Sequence, residues 1–545
     1  VQNFDWQFPY PSRRAPVFAG NVVATSQPLA AQAGLQIMQR GGNAVDAAVA
    51  TAIALAVIEP CSNGIGSDLF AQVWDGTQLH GLNASGRAPA AWTPERFAGM
   101  KKMPMTGWDA VTVPGAVSGW AAMSSRFGRL PFADLFEPAI RYARDGYPVA
   151  PGTSRKWKKR GPILSAVPGF SEGFMRLGHA PEAGERFCYP EQARTLELIA
   201  GSKGTEFYEG RLAQAMCAHA EAHGGAMRPD DLASHAADWV EPLAVDYCGH
   251  TLHELPPNGQ GLVALIALGI LERRGLGAVA QASADYYHLM IEALKLAFAD
   301  AHRYVADPMA MTIDPASLLA GSYLDERAAQ IDMTRAREFG HGNPRPGGTV
   351  YLCTADSGGC MVSLIQSNFK DFGSGVVVPG TGISLHSRGL GFSLTPGHPN
   401  LVGGRKRPFH TIIPGFVTRG GQPLMSLGIV GAEMQPQGQV QILARIINGL
   451  ENPQSALDAP RFRFLGGRDV ALEEGIPFAV SAELSARGHH IVDGKGAGPG
   501  QKLTREQDVA VSARSNFGGA QLIYRLPDGY VAASDPRKDG QAVGY

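Results

Sequence analysis

From Gln27 to Arg40 the apolar residues Leu29, Ala33 and Ile37 recur at helical spacing, which predicts a helix that Gly41-Gly42 ends. From about Ala44 to Ile58 the chain is small and apolar on every side, which predicts a second helix packed inside the protein, with Pro60 as its stop. The run 62-SNGIGSDLF-70 reads as a glycine-rich loop feeding a strand at Ala71 to Trp74. Gly and Pro punctuate 75–120, and 121–345 reads mostly helical, including 284-ADYYHLMIEALKLAFADAHRYVADP-308. On that helix His288, Glu292 and Lys295 share a face, which favours a salt-bridged structural helix over a catalytic one. From 343-NPRPGG-348 onward the character changes. Short β-rich runs (350–353, 360–366, 375–378, 425–429, 520–525, 530–533) alternate with Gly and Pro, with one helix near 438–449. Helices enclosing antiparallel strands is the expected architecture.

Length and composition narrow the class. A chain of 545 residues exceeds the size at which a single core stops growing, so one large compound domain or two domains is expected. With 44% hydrophobic and 18% charged residues it is a globular chain rather than a disordered one. A formal net charge of −1 gives no reason to expect nucleic acid or an anionic membrane as partner. The basic run 154-SRKWKKR-160 is expected to be a solvated face. The longest apolar run, 47-AAVATAIALAVI-58, is too short to span a bilayer. Six cysteines without CxxC spacing favour free thiols and a cytoplasmic setting, or a periplasmic one if a signal peptide preceded Val1. One bridge, Cys353 to Cys360 across a hairpin, is the exception to be checked. His250 and His253 lack HExxH spacing and no metal site is expected; nor is a cofactor, because 62-SNGIGS-67 lacks the GxxxxGK[ST] pattern.

The chemistry concentrates in 347-GGTVYLCTADSGGCMVSLIQSN-368, a strand, tight turn and strand in which Thr349 begins the first strand directly behind two glycines. A threonine hydroxyl is a poor nucleophile without a base. Cutting the bond before it frees an α-amine with an ordinary pKa near 7.7–8.0, beside the hydroxyl. Gly348 suits such a cut, since glycine accepts the backbone strain of an N-to-O acyl shift. A threonine that simply starts a strand is the plain alternative.

The order of short motifs decides between them. The segments 41-GGNAVDAAVATAIALAVIEP-60, 112-TVPGAVSGW-120, 255-LPPNGQG-261, 292-EALKLAFADAHRYVADP-308, 349-TVYLCTAD-356, 372-FGSG-375, 407-RPFHTIIP-414, 458-DAPRF-462 and 534-SDPR-537 together resemble the γ-glutamyltransferase family of N-terminal-nucleophile hydrolases over nearly the whole chain. The resemblance implies an α+β fold, a four-layer αββα sandwich with two antiparallel sheets between helices. It also implies a proenzyme that cuts itself between Gly348 and Thr349. The products would be a large chain 1–348 and a small chain 349–545, associated as a heterodimer that can pair into a heterotetramer. Thr349 would be the nucleophile toward a small-molecule amide, and the backbone N–H groups of Gly431 and Ala432, in 426-SLGIVGAEMQPQ-437, would hold the oxyanion. The family usually has two glycines there, so Ala432 departs from it. Thr354 and Asn368 are candidates for supporting roles.

The amino-acid end of the pocket departs further. In 83-NASGRAP-89, Ser85 stands where the family's anchoring arginine is expected and Arg87 follows two residues later. His410-Thr411 replaces a serine pair, Leu390 falls at the usual acidic position, and Phe369 takes the slot of an asparagine. Arg87 and Arg388 remain as carboxylate binders or as ion-pair residues. The pattern is similar to a divergent bacterial branch of the family that includes amidohydrolases of small acid amides such as oxamate, and cephalosporin acylases. The expectation is therefore an autoprocessed amidohydrolase. The alternatives are a working γ-glutamyltransferase acting on glutathione with a rearranged pocket, a cephalosporin-type acylase, or an unprocessed binding protein.

Overall fold

Side chains alternate along the strand Gly348–Ala355, and the alternation sets the plan of the molecule. Val350 and Leu352 pack among helices on one side. Tyr351, Cys353 and Ala355 point the other way, into an apolar layer shared with Phe416, Val430, Ile523 and Ala532 of a second sheet. The computed structural model describes residues 14–176, 178–339, 348–493 and 514–545. Residues 343–347, where the character of the sequence changes, lie outside them.

Two seven-stranded sheets face each other. One runs Gln541–Gly544, Val22–Thr25, Gly348–Ala355, Met361–Phe369, Asp68–Trp74, Leu79–Asn83, Asp238–Val240. The other runs Val17–Ala19, Gly529–Ser534, Gly519–Leu526, Gln422–Val430, Gly415–Arg419, His250–Glu254, Leu243–Tyr247. Every pairing in both is antiparallel. The sheets approach closely at Gly428, where a Cβ would lie 2.3 Å from the Tyr351 ring. Helices Pro28–Gln39 and Ala44–Ile58 cover the first sheet, and Gly261–Arg273, Ala284–Tyr304 and Met434–Ile447 cover the second. The result is the expected α+β sandwich, helix–sheet–sheet–helix.

Several expectations need correction. The stretch 121–345 is mostly helical as expected, but strands interrupt it. It supplies the edge strand Asp238–Val240 and the hairpin Leu243–Tyr247/His250–Glu254, whose first strand is the edge of the other sheet, all only partly buried and with weak apolar alternation. The strand expected from Ala71 starts at Asp68, and the helix expected near 438 starts at Met434. Within 375–378 only Val377–Val378 is strand. Cys353 pairs with Ser363 rather than Cys360, and all six cysteines are free thiols. The basic run is only partly solvated: Trp157 is fully buried, and Lys156 donates to Ser62 Oγ at 2.8 Å. Among the described residues no helix is long and apolar enough to cross a membrane.

Candidate active site

Gly348 pairs with Phe369 and Val350 with Gln366, so Thr349 alone faces Ser367 and Asn368. Such a bulge re-aims side chains at the end of a ladder. Thr349 Oγ1 lies 3.1 Å from Ser367 Oγ, and Thr349 is 3% exposed. Ser367 Oγ also accepts the Phe369 N–H at 2.8 Å, while Phe369 itself is left-handed with φ 72°. A non-glycine residue held there signals a locally strained turn. Asn368 Oδ1 accepts the Ser67 hydroxyl at 2.8 Å, and its buried Nδ2 has no partner among the described residues. Sequence reasoning singled out Asn368 and passed over Ser367. Thr354 is remote from this chemistry: its hydroxyl donates to the Ala44 carbonyl at 2.7 Å and ties the strand to a helix.

The second sheet supplies the loop after Val430. Gly431 (φ 125°) and Ala432 (φ 54°) turn the chain into the helix Met434–Ile447. Only glycine enters the left-handed region freely, so the Ala432 conformation must be held by its surroundings. The Ala432 carbonyl accepts from Gln435 N–H at 3.0 Å and from Gln260 Nε2 at 2.9 Å. Among the described residues the Ala432 N–H has no acceptor, and it lies at the partially positive start of the helix.

Arg388, in the short 3-10 turn Arg388–Gly391, is 1% exposed. Its Nη1 donates to Thr411 Oγ1 at 2.9 Å and its guanidinium lies 4.6 Å from the centre of the Phe369 ring. Nε and Nη2 have no partner among the described residues. Burial pulls its pKa down to about 9 against the opposing charge of Asp68, so it stays cationic at neutral pH. Burial alone would raise the Asp68 carboxyl, but the imidazoles of His386 and His410 outweigh it and keep the group ionised. Asp68 Oδ1 also accepts the N–H groups of Gly86 (3.2 Å) and Gly115 (3.1 Å). His410 Nε2 donates to Asp68 Oδ2 at 3.1 Å, and burial, reinforced by Arg388, drives its pKa down to about 3. His410 is therefore neutral and works as a prop.

The other expected residues divide. Phe369, Leu390 and Ala432 meet in one apolar cluster with Trp92 and Phe392, so Leu390 forms a wall rather than a polar contact. Ser85 is buried but its hydroxyl is spent on Asn83 Oδ1 at 2.7 Å. Arg87 is 43% exposed and paired with Asp307 at 3.2 Å. Thr349, Phe369, Arg388, His410 and Thr411 thus form one connected region with the Gly431–Ala432 loop, and Arg87 is engaged elsewhere.

Among the described residues one group has ligand atoms close enough for a metal: His288, Glu292 and His489, all within 4.8 Å of one another. Glu292 already neutralises Lys295, whose ammonium donates to Oε1 at 2.7 Å, and its Oε2 takes the Arg337 N–H at 3.1 Å. His288 Nδ1 and His489 Nε2 are hydrogen-bonded at 2.8 Å. A dication there would add two uncompensated charges, so the group is a closed structural network. His250 and His253 bond separately, to the Cys248 carbonyl and to Thr418 Oγ1.

Comparison with known proteins agrees with this arrangement. The profile described as Gamma-glutamyltranspeptidase matches residues 30–545. The chain is 36% identical over 528 residues to a glutathione hydrolase-like YwrD proenzyme of Bacillus subtilis (strain 168), covering 96% of this chain and 98% of that one. It is also 36% identical over 533 residues to an oxamate amidohydrolase proenzyme of Klebsiella pneumoniae, covering 95% and 97%. Among solved structures, a cephalosporin acylase from Bacillus halodurans superposes with a TM-score of 0.91 at 45% identity, covering 100% of this chain and 99% of that one. The chain is a member of the γ-glutamyltranspeptidase family.

Proposed function

We propose that this enzyme cuts itself between Gly348 and Thr349 and then hydrolyses an amide whose acyl part carries a carboxylate. The freed Thr349 amine takes the proton from Thr349 Oγ1 as that oxygen bonds to the amide carbon. The carbonyl oxygen becomes an oxyanion held by the N–H groups of Gly431 and Ala432. The C–N bond then breaks, and the protonated amine gives its proton to the departing nitrogen. Water attacks the resulting ester, with the same amine as base, and releases the acid. Relatives that are themselves proenzymes support the self-cleavage step. Both sheets draw strands from 1–348 and from 349–545, so the two fragments stay joined as a heterodimer.

Arg388 carries the substrate reading. A buried cation whose Nε and Nη2 lack partners among the described residues costs free energy until an anion meets them, and a carboxylate satisfies both nitrogens with its two oxygens. The apolar wall of Leu390, Phe369 and Phe392 offers no acceptor to a substrate ammonium. The test is p-nitroaniline release from succinyl-p-nitroanilide against γ-glutamyl-p-nitroanilide. Faster turnover of the succinyl compound is expected, with kcat/KM reduced roughly 10–100-fold by Arg388→Lys, which cannot present the same planar fork. Faster turnover of the γ-glutamyl compound, stimulated by a dipeptide acceptor, would make the enzyme a γ-glutamyltransferase with a rearranged pocket.

A further inference from the structure

We infer that Gln260 is a positioning residue that couples recognition of the substrate's acid group to the oxyanion loop, an inference that rests on the function proposed above. Gln260 is fully buried at the start of the helix Gly261–Arg273. Its Nε2 donates to the Thr411 carbonyl at 2.7 Å and to the Ala432 carbonyl at 2.9 Å. These carbonyls belong to the two halves of the site. Thr411 holds Arg388 through its hydroxyl, and Ala432 carries an oxyanion N–H.

The backbone around Gln260 is fixed to the segment it holds. Its own N–H reaches the His410 carbonyl at 2.9 Å, and the His410 N–H reaches the Asn258 carbonyl at 2.9 Å. The Thr411 and Ala432 carbonyls both lie outside regular strands, so no ladder restrains them. The segment 408–414 is bounded by prolines, which lack an N–H, and side-chain amides take over: Asn258 Nδ2 donates to the Pro408 carbonyl at 2.8 Å. Ala432 has the greater need, since its left-handed conformation is one an alanine leaves when unrestrained. A primary amide is an uncharged group with two N–H bonds on one nitrogen, and both are used here. Displacement of Thr411 as Arg388 closes on a carboxylate is thereby transmitted to the Gly431–Ala432 peptide.

The experiment compares wild type, Gln260→Met and Gln260→Glu as self-processed enzymes, on succinyl-p-nitroanilide and on butyryl-p-nitroanilide, which lacks the acid. Gln260→Met should lower kcat for the succinyl compound roughly 10–100-fold, as expected when catalytic groups shift by about an ångström, with KM changed less than about threefold. The kcat preference for the acid substrate should narrow toward one, which mere loss of stability would not produce. Gln260→Glu tests the same bond without a change of volume. Its buried carboxylate would repel both carbonyls, while the protonated acid donates to one. Activity relative to wild type should therefore rise as pH falls, and this reading stands even if Gln260→Met does not fold. Wild-type kcat in both variants, or equal losses on both substrates with no recovery at low pH, would overturn the coupling alone. A wild-type enzyme that turns over neither substrate would overturn the proposed function and the coupling with it.

Discussion

At the scale of single residues, Ser367 Oγ meets both Thr349 Oγ1 at 3.1 Å and the N–H of the left-handed Phe369 at 2.8 Å. It thus fixes the direction of the Thr349 hydroxyl, the proposed nucleophile, and the shape of the turn beside it. Ser367→Ala is expected to lower kcat roughly 10–100-fold with KM nearly unchanged, and Ser367→Thr, which keeps the hydroxyl, should recover most of the loss. Steady-state kinetics on the processed enzyme decide it; a rise in KM with kcat intact would assign Ser367 to substrate binding instead. Thr349 was readable as a candidate because its proposed role lies in local chemistry, a hydroxyl that can gain its own amine behind a glycine. Ser367 was not, because its role depends on a two-against-one register that no spacing in the chain reveals. Arg87 and Arg388 were indistinguishable as letters. What separates them is Asp307, 220 positions away from Arg87 in the chain, whereas among the described residues no carboxylate is hydrogen-bonded to Arg388.

At the scale of elements, the helices were legible and the strands much less so. Helix Ala44–Ile58 was found with both its bounds, because a wholly apolar run between a diglycine and a proline has one simple reading. The Leu243–Tyr247/His250–Glu254 hairpin was missed because only part of it is buried, and its histidines and acids hide the alternation. Its last residue carries a consequence for stability. Glu254 is fully buried, and burial, opposed only by the nearby Gln439 amide, pushes its pKa from 4.5 up to about 8. The folded state therefore holds a proton that the unfolded chain gives up between these values. Stability falls as pH rises through that window and levels off above about 8, by a few kcal/mol at most. Glu254→Gln should remove this loss. Its Tm should match wild type near pH 4.5 and exceed it increasingly toward pH 8.5; a constant gap at all pH values would contradict the assignment.

At the scale of the whole molecule, the interleaving of the two sheets explains how one chain can be cut and stay whole. The sheet that carries Thr349 takes Val22–Thr25 and Asp68–Trp74 from before the proposed cut and Gly348–Ala355, Met361–Phe369 and Gln541–Gly544 around and after it. Three apolar layers, one between the sheets and one under each set of helices, hold residues from both fragments together. The αββα plan followed from motif order, whereas the pairing order could not, since neighbours such as Val22–Thr25 and Gly348–Ala355 are far apart in the chain. On the function proposed above, Thr349 is buried in this sandwich in order to become a chain terminus. Intact-mass analysis of purified wild type beside Thr349→Ala tests it most directly. Two fragments with the masses of 1–348 and 349–545 are expected in the wild type, and one uncut chain in the variant. One uncut chain in both, or cleavage at the same bond in the variant, would contradict it.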